Sequence, residues 1–502
     1  MLSLTDPDAQ PDCPAPFNMA AHVLAAGSAT PDKIALQIVG ASRAERWSYA
    51  RLIAAVRGTG TGLLQRGLQP GDRVLMRLGN TVDFPVAYLG AIAAGLVPIP
   101  TSTQLTGPEI TRIAQQTAPA LVLAGADVAL PDHPAPVLDQ SALRAMHDLP
   151  ACDWHMGSPE RPGYIIYTSG SGGSPRAVVH AHRAIWARQM MWQDWYALRP
   201  EDRMLHAGAF NWTYTLGTGL MDPWAIGASA LIPEPGAPLG LMLRRFDATL
   251  FAAAPGVYRQ LLKDGRKLDL PHLRHGLSAG EKLPEITRNA WKDATAREIY
   301  EALGMSECST YISSSPRRPA APGGAGYPQA GRRVAVLGGD GQPVARNTPG
   351  MLAVHRGDPG LMLGYLSADG PELPLTGDWF VTGDRVSMAE DDAITYLGRD
   401  DDMMNAGGFR VSPLEVEQAL ARHPAIQDIA CTEVSPREGV SIIAAFYTAE
   451  APLNESDLMD FAARALARYK QPRLYQHCAS LPRSANGKLS RRALRASFEA
   501  DT

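Results

Sequence analysis

Paired cysteines, an excess of one charge and long hydrophobic runs are all missing from this sequence. Its five cysteines are scattered and never form a C-x-x-C pair, so the sequence predicts neither a disulfide framework nor a zinc site. Such cysteine usage is typical of a reducing compartment. Residues 1–16 are polar and proline-rich and lack the basic and apolar regions of a signal peptide. We therefore expect a cytoplasmic protein.

Charge and hydropathy give no indication of nucleic-acid or membrane binding. The formal net charge is −4, and no dense run of lysine and arginine occurs. The longest apolar stretch, residues 84–100, is shorter than the roughly 20 residues that a membrane-spanning helix needs, and glycine and proline interrupt it. This stretch predicts a buried helix that leads into a buried strand. We expect small-molecule partners, with no nucleic acid and no membrane; the oligomeric state is not indicated.

The length and the residue pattern predict more than one α/β domain. A chain of 502 residues with 45% hydrophobic residues is too long for one ordinary domain and has enough apolar side chains for a sizeable core. Short β-rich runs alternate with helical patterns, which predicts parallel sheets covered by helices. Residues 332–362 instead carry turn signals between short strands and predict a β-rich subdomain.

The pattern changes again near residue 400. An acidic, glycine-bearing stretch at 398–402 indicates a linker, and the Ser412-Pro413 pair after it is typical of a helix start. We predict a large N-terminal domain over residues 1–400, which contains the β-rich subdomain. A small, mobile α/β C-terminal domain is predicted over residues 401–502.

Small residues are concentrated in YTSGSGGSPR, residues 167–176, between two strand-like runs. Glycines let successive backbone N–H groups converge on an anion, and serine and threonine hydroxyls add further donors. Arg176 adds a planar positive group. The Walker A spacing is absent. The loop suits a polyphosphate, with a flexible hairpin as the alternative.

Four further motifs follow this loop in order. They are YEALGMSE at 300–307, TGD at 382–384, GRDDDMMNAGGFR at 398–410 and PRSANGK at 482–488. Together with the loop they resemble the adenylate-forming superfamily, which comprises acyl-CoA synthetases, the adenylation domains of nonribosomal peptide synthetases and firefly luciferase. The resemblance covers nearly the whole chain and is greatest to benzoate-type and medium-chain acyl-CoA ligases.

The resemblance implies ATP-dependent activation of a carboxylate to an acyl-adenylate, followed by transfer to coenzyme A. It implies ATP and coenzyme A as substrates, Mg²⁺ as cofactor, and an aryl or short-to-medium-chain acid. An amino acid is disfavoured because residues 209–217 contain no aspartate to pair with an ammonium group. Two alternatives are a free-standing adenylation enzyme that loads a carrier-protein thiol, and a nucleotide-binding protein without chemistry.

The same resemblance implies a role for each motif residue. Lys488, Glu307 and Arg176 would be catalytic, with Lys488 bridging the carboxylate and the α-phosphate and Glu307 holding the metal. Asp384 and Arg399 would contact the ribose. The residues implied to bind ATP are Thr168, Ser169, Gly170, Ser171, Gly172, Gly173, Arg176, Gly280, Glu281, Lys282, Leu303, Gly304, Met305, Ser306, Asp384 and Arg399.

Further residues are implied for the second half of the reaction and for the acid. Asp401 would be the hinge about which the small domain rotates. The implied coenzyme A contacts are Gly407, Gly408 and Arg410, and the implied acyl-pocket residues are Phe210, Trp212, Tyr214 and Gly304. Related acetate-activating enzymes carry a tryptophan where this chain has Gly304, so we expect a deeper pocket here. A turn with positive φ is the alternative reason for this glycine.

The loop departs from the family pattern Y-T-S-G-[ST]-T-G-x-P-K-G at three positions. Gly172 replaces a threonine, Arg176 the lysine and Ala177 a glycine. The backbone donors survive these changes and arginine keeps the positive charge, so we still expect ATP binding.

His180 and His182 form an H-x-H pair on one predicted strand. This spacing puts both rings on one face, which is compatible with a metal site. No third ligand is signalled nearby, so packing beside the loop is the favoured interpretation.

Overall fold

The computed structural model of the protein describes residues 1–5, 12–168, 175–406, 409–437, 440–483 and 488–500. The predicted fold class is confirmed: a large α/β part with a β-rich subdomain precedes a smaller α/β part. Among the residues described, no helix combines the length and the apolarity that crossing a membrane requires.

The first layer of the large part is a parallel four-stranded sheet with helices on it. Its strands are, in spatial order, Val97–Pro100, Arg73–Arg77, Leu121–Ala124 and Val137–Asp139. The helices of this region are Tyr49–Gln65, Asp83–Ala93, Gly107–Thr117 and Gln140–Arg144. Helix Asp83–Ala93 is buried along its whole length, which confirms the buried helix and strand predicted for the longest apolar run.

Local capping fixes the start of helix Gly107–Thr117. The side chain of Thr106 and that of Glu109 form a capping box, and Pro108 stands in the first turn. The capping box satisfies N–H groups at the start of the helix, which have no acceptor in a preceding turn. Proline is tolerated there because its missing N–H would not have formed an intrahelical hydrogen bond.

A nine-stranded mixed sheet forms the centre of the large part. Its strands are, in spatial order, Tyr327–Pro328, Ser309–Ser313, Ile299–Met305, His275–Ala279, Leu250–Ala253, Arg203–His206, Ser229–Pro233, Ile34–Val39 and Ala44–Ser48. The middle strands are parallel and the strands at both edges are antiparallel. Several middle strands are buried throughout, as expected for a sheet covered on both faces.

Helices and short helical turns connect the strands of this sheet. The α-helices are Met19–Ser28, Ala184–Ala187, Gln189–Met191, Asp222–Ala225, Leu239–Arg245, Pro255–Leu262 and Glu285–Thr295. Two π-helical segments, Trp192–Tyr196 and Thr215–Met221, interrupt the α-helical geometry. Such segments are rare and frequently mark functional sites.

Two antiparallel sheets complete the large part. One contains Gly370–Glu372, Gly364–Ser367, Arg176–Ala181 and Pro162–Thr168. The other contains Val334–Leu337, Gly350–His355, Trp379–Met388 and Ile394–Arg399. The second sheet includes the residues for which turn signals predicted a β-rich subdomain.

The smaller part follows the short 3-10 helix Asp400–Asp402. Its strands are Met404–Ala406, Phe409–Val411, Asp428–Arg437, Val440–Thr448 and Leu474–His477. Its α-helices are Pro413–Leu420, Glu455–Ala465 and Arg491–Ala500, and Arg468–Lys470 is a 3-10 turn. The predicted helix start is confirmed, because the Ser412 hydroxyl accepts a hydrogen bond from the backbone N–H of Glu415.

A buried ion pair joins the β-rich subdomain to the central sheet. Nη1 of Arg332 lies 2.5 Å from Oδ1 of Asp358, and both side chains are fully buried. Nη2 of Arg332 donates to the carbonyl of Thr310 at 3.1 Å. Gly360 leaves room for the guanidinium, since a β-carbon there would lie 2.1 Å from Nη1 of Arg332. The packing at this junction therefore depends on compensation of one buried charge by another.

We expect Arg332→Met to destabilise the fold by about 3–5 kcal/mol, because Asp358 would stay buried without its cation. The matched control is Arg356→Met: Arg356 lies 3.6 Å from Asp378 in an ion pair whose side chains are 59% and 66% exposed. That exposed pair should contribute about 1 kcal/mol or less. Thermal unfolding followed by circular dichroism compares the two variants, and equal melting temperatures would contradict this account of the junction.

Candidate functional site

Parallel strands bring three of the predicted motifs to one edge of the central sheet. Strands Arg203–His206, Leu250–Ala253, His275–Ala279 and Ile299–Met305 are successive parallel neighbours. The carboxyl ends of parallel strands meet at the same edge, where open α/β sheets bind ligands. The segments that follow the strands, 207–214, 280–283 and 306–307, therefore meet there although they are far apart in the sequence.

Lys488 reaches this edge from the C-terminal part of the chain. A β-carbon at Gly280 would lie 2.8 Å from Cζ2 of Trp212 and 3.8 Å from Cε of Lys488. Gly280 also has a φ of +101°, which favours glycine. Three predicted site residues from distant segments are thus in one place, and the close approach of Trp212 requires glycine at position 280.

Carboxylates surround the Lys488 ammonium. Loss of water around the ammonium and the positive charge of Arg399 lower the pKa of Lys488, and the negative charges of Glu281, Asp384 and Glu307 oppose that shift. The side chain nevertheless keeps access to solvent. An accessible ammonium can pair with an anionic ligand that enters the cleft beside it.

Asp384 and Arg399 face each other on neighbouring antiparallel strands. Nη1 of Arg399 lies 3.4 Å from Oδ1 of Asp384, and the hydroxyl of Tyr396 donates to the same oxygen at 3.2 Å. Burial raises the pKa of Asp384, while Arg399 and the hydrogen bonds lower it. A buried carboxylate held in this way is a suitable acceptor for the two hydroxyls of a sugar.

Glu307 is buried and is linked to the hairpin around the predicted phosphate loop. The hydroxyl of Tyr365 donates to Oε1 of Glu307 at 2.8 Å. The guanidinium of Arg176 lies 3.9 Å from the centre of the Tyr365 ring, a cation–π contact. Arg176 in turn pairs with Thr168 across the hairpin. Two predicted catalytic residues are therefore joined through Tyr365, which no sequence motif singled out.

The two charged residues after Gly280 have different partners. Nζ of Lys282 lies 3.2 Å from Glu301 and donates to the carbonyl of Gly324 at 3.0 Å, so its charge is compensated within the protein. Glu281 lies 3.5 Å from Nη1 of Arg483. Burial raises the pKa of Glu281, and the cation of Arg483 lowers it.

The structure explains Gly304 differently from both reasons that the sequence suggested, a deeper pocket and a turn with positive φ. Strand Ile299–Met305 has an irregular register at this residue, and a β-carbon on Gly304 would lie 2.4 Å from the carbonyl oxygen of Ser309. Its φ is not in the positive range. The place of a side chain is filled by the backbone of the neighbouring strand, so the absence of that side chain is not what leaves a pocket open.

The remaining residues of this strand and turn lie against the same sheet. Leu303 and Met305 are partly buried and pack on the core of the β-rich subdomain. The carbonyl of Ser306 accepts a hydrogen bond from Nε2 of His180 at 2.7 Å.

The aromatic residues predicted for the acyl pocket do not all lie in the same place. Some belong to the hydrophobic core, and Trp212 lies beside Gly280 at the edge of the central sheet. Phe210 is buried in the core, with its ring centre 5.4 Å from that of Phe84. Trp212 and Tyr214 form an edge-to-face pair with ring centres 5.1 Å apart, and the Tyr214 hydroxyl donates to the carbonyl of Leu277. Trp212 also lies against Gly280.

One ring nitrogen of each of His180 and His182 bonds the backbone. Nδ1 of His182 accepts a hydrogen bond from the backbone N–H of Met19 at 3.0 Å, and His180 binds the Ser306 carbonyl. Within the described ranges, no group of three or more histidine, cysteine, aspartate or glutamate residues is arranged to hold a metal ion. Among the described residues Glu307 belongs to no such group, and a magnesium ion held by one carboxylate would take its other ligands from phosphate and water.

Some predicted residues lie outside the described residues. These are Ser169, Gly170, Ser171, Gly172 and Gly173 of the loop, and Gly407 and Gly408. The backbone of Arg410 belongs to strand Phe409–Val411, while its side chain is not described. Asp401, the predicted hinge, is exposed in the short 3-10 helix, and its carboxylate lies 3.4 Å from Nε of Arg399.

Ion pairs connect the smaller part of the chain to the large part beside Lys488. Nη2 of Arg483 lies 2.8 Å from Asp428, and the same carboxylate lies 3.1 Å from Nη1 of Arg259. Arg483 also approaches Glu281, which follows Gly280. Opposite charges thus alternate from Arg259 through Asp428 and Arg483 to Glu281. The sequence carries no local signal for this set, because the two parts contribute residues that are separated by more than a hundred positions.

Comparisons with known proteins agree over nearly the whole chain. The family model for AMP-binding enzymes matches residues 24–366, and that for the C-terminal domain of AMP-binding enzymes matches residues 415–488. The chain is 30% identical to the 4-hydroxybenzoate--CoA/benzoate--CoA ligase of Rhodopseudomonas palustris, over 89% of this chain and 88% of that protein. It is 27% identical to the human mitochondrial acyl-coenzyme A synthetase ACSM2A, over 96% and 91% of the two chains.

A solved structure of similar fold is that of the anthranilate CoA ligase AuaEII in complex with anthranoyl-AMP. The TM-score is 0.87 and the sequence identity 25%, and the match covers 98% of this chain and 99% of that chain.

The lowered pKa of Lys488 predicts unusual reactivity towards amine-directed reagents. At pH 8 a larger share of Lys488 than of an ordinary lysine is unprotonated, and the side chain is accessible. Lys292 is the matched control, since its pKa is raised by a hydrogen bond from its ammonium to Glu298. Peptide mass spectrometry after brief acetylation should detect several-fold faster labelling of Lys488. Faster labelling of Lys292 would contradict the charge environment described above.

Proposed function

This chain belongs to the AMP-binding enzymes and is an AMP-forming acyl-CoA synthetase, and we propose that the acid it activates is aromatic. The relatives named above include a ligase for benzoate and 4-hydroxybenzoate, and a further relative, 29% identical, is the benzoate--CoA ligase of Thauera aromatica. The edge-to-face pair of Trp212 and Tyr214 supports this proposal, because a flat ring packs well against aromatic edges.

The observation that carries the assignment of the adenylation step is the position of Lys488. Its side chain lies beside Gly280 and Trp212, one implied to contact the adenine and the other the acid. An ammonium between these two groups is suited to compensate the charge that develops when a carboxylate oxygen attacks the α-phosphate of ATP. The attack forms the acyl-adenylate and releases pyrophosphate. The thiol of coenzyme A then attacks the acyl carbonyl, its proton is lost, and AMP leaves.

We assign the other site residues by their chemistry. Asp384, with Arg399 beside it, would accept hydrogen bonds from the ribose hydroxyls. Glu307 would hold Mg²⁺, whose positive charge offsets that of the phosphates. Tyr365 would keep the Glu307 carboxylate in place through its hydroxyl. Arg176 would lie at the end of the loop that contacts the phosphates.

The test of the proposed function is a substrate panel with ATP and Mg²⁺. We expect benzoate to release pyrophosphate and, with coenzyme A present, to give AMP and a thioester at a higher kcat/KM than hexanoate or acetate. Preference for an aliphatic acid would overturn the aromatic assignment. Thioester formation on a carrier protein but not on coenzyme A would favour the carrier-loading alternative.

Replacement of Lys488 should separate the two half-reactions. We expect Lys488→Met to slow adenylate formation by about 100-fold or more, since one preorganised charge at the reacting phosphate is lost. Thioester formation from supplied benzoyl-adenylate should be retained. Lys292→Met, which removes an exposed lysine paired with Glu298, is the control. An equal loss of both half-reactions in the Lys488 variant would count against its proposed role.

The alternating charges between the two parts of the chain predict a smaller loss of adenylate formation than that expected for Lys488→Met. Asp428→Asn keeps the shape of the side chain but removes its attraction to Arg259 and Arg483. Adenylate formation should slow by about two- to fivefold, as expected for partly exposed ion pairs. Asp269→Asn is the control, because Asp269 pairs with Arg244 on the exposed surface of the large part. Rapid-quench measurement of adenylate provides the comparison, and identical rates in the two variants would exclude this set of charges as a positioning device.

A further inference from the structure

The side chain of Asn80 connects the four-stranded parallel sheet to the segment implied to bind the acid. Asn80 lies in the turn between strand Arg73–Arg77 and helix Asp83–Ala93. Its Nδ2 donates to the carbonyl of Gly208 at 2.8 Å, and its Oδ1 accepts from the backbone N–H of Phe210 at 2.9 Å. A carbonyl can only accept and an N–H can only donate, so both ends of the amide are used. The amide therefore fixes backbone groups two residues apart in the second segment.

The backbone that Asn80 binds leads directly to Trp212. The carbonyl of Ala209, which stands between the two bonded residues, accepts a hydrogen bond from the N–H of Trp212 at 3.0 Å. The indole of Trp212 lies against Gly280, where Lys488 is also found. Asn80 is thus connected with the site through a short run of hydrogen bonds, although it precedes this segment by more than a hundred residues.

Ring packing strengthens the same junction. Phe84, in the first turn of helix Asp83–Ala93, is fully buried, and its ring centre lies 5.4 Å from that of Phe210. The N–H of Phe210 is bound by Asn80 while its ring packs against Phe84. Both the backbone and the side chain of Phe210 are therefore held by residues from one short stretch of the chain.

Both sides of this junction are held by further contacts. The carboxylate of Asp83 is fully buried and is bound by Nη2 of Arg144 at 2.7 Å and by the hydroxyl of Thr81 at 3.3 Å. On the other side, a β-carbon on Gly208 would lie 2.3 Å from Oγ1 of Thr215, so the backbone there already packs closely. Since each side has its own contacts, the amide and the ring packing align one side with the other.

We propose that Asn80 is a positioning residue for the acid, whose side-chain amide holds residues 208–212 so that the ring of Trp212 stands at the acid site beside Lys488. This inference rests on the proposed function, which places the acid at Trp212. A displaced pocket wall would lower the share of bound acid that is aligned for reaction. The four-stranded sheet then has a role in binding the acid, although it supplies no residue to the predicted ATP site.

The test compares the KM values for the two substrates in a variant of Asn80. The acid is the one with the highest kcat/KM in the substrate panel described above, whatever its class. We expect Asn80→Ala to raise the KM for this acid by about three- to tenfold, because two hydrogen bonds that align the segment are lost. The KM for ATP should stay within about twofold of the wild-type value.

Asn18→Ala is the matched control. Asn18 is a buried asparagine whose Nδ2 donates to the carbonyls of Ile92 and His155 and whose Oδ1 accepts from backbone N–H groups at the start of helix Met19–Ser28. This variant loses a similar set of hydrogen bonds at the opposite end of helix Asp83–Ala93. It should lower the melting temperature without changing the ratio of the two KM values.

A second variant and a second measurement apply if Asn80→Ala is unstable. Asn80→Asp keeps the shape of the side chain and the acceptor for the N–H of Phe210, but it places an oxygen against the carbonyl of Gly208. The KM for the acid should again rise. Hydrogen–deuterium exchange should be faster in the peptide that contains Phe210 and Trp212 in either Asn80 variant, and unchanged there in Asn18→Ala.

The two proposals fail in different ways. If the panel shows preference for an aliphatic acid, the aromatic assignment is wrong, while the Asn80 variants still test the positioning role with that acid. An unchanged KM for the acid in both Asn80 variants would overturn the positioning role alone. An equal rise in the KM values for acid and ATP, or the same rise in Asn18→Ala, would also overturn it, because the loss would then reflect general destabilisation.

Discussion

Compensation of buried charge is the constraint on which the rest of this structure depends. Asp384 is paired with Arg399, Asp358 with Arg332, and Asp222 with Arg188. Each pair joins segments that form different strands, helices or parts of the chain. A charge removed from water is tolerated only where an opposite charge and hydrogen bonds accompany it, so each pair fixes the relative position of the two segments that supply it.

The site uses this constraint in two ways. Where the pairing is complete, as at Arg188 and Asp222, the two charges cancel inside the protein. Where a cation remains accessible, as at Lys488, its charge can compensate the negative charge of a ligand that binds beside it. The same physical rule thus applies to a closed ion pair and to an accessible cation.

The position of the site follows from the topology of the central sheet. Successive parallel strands present their carboxyl ends at one edge, and the segments after Arg203–His206, His275–Ala279 and Ile299–Met305 meet there. The smaller part of the chain then needs to contribute only one long side chain. Its ion pairs through Asp428 and Arg483 lie beside the same edge and join the two parts of the chain without a covalent constraint.

Local secondary structure was predictable from the sequence, because it depends on residues that are neighbours in the chain. The helix that begins after Ser412, the buried helix Asp83–Ala93 and the hairpin around the predicted phosphate loop follow from capping, hydrophobicity and turn residues. The ordered motifs likewise indicated the family and the chemistry. Long-range packing was not predictable: the backbone of Ser309 fills the place of a side chain at Gly304, Tyr365 joins Glu307 to Arg176, and Lys282 is paired with Glu301. The sequence by itself determined the elements and the reactive residue types, whereas only the tertiary structure decided which buried charges are paired, since the partners come from segments whose approach no local pattern encodes.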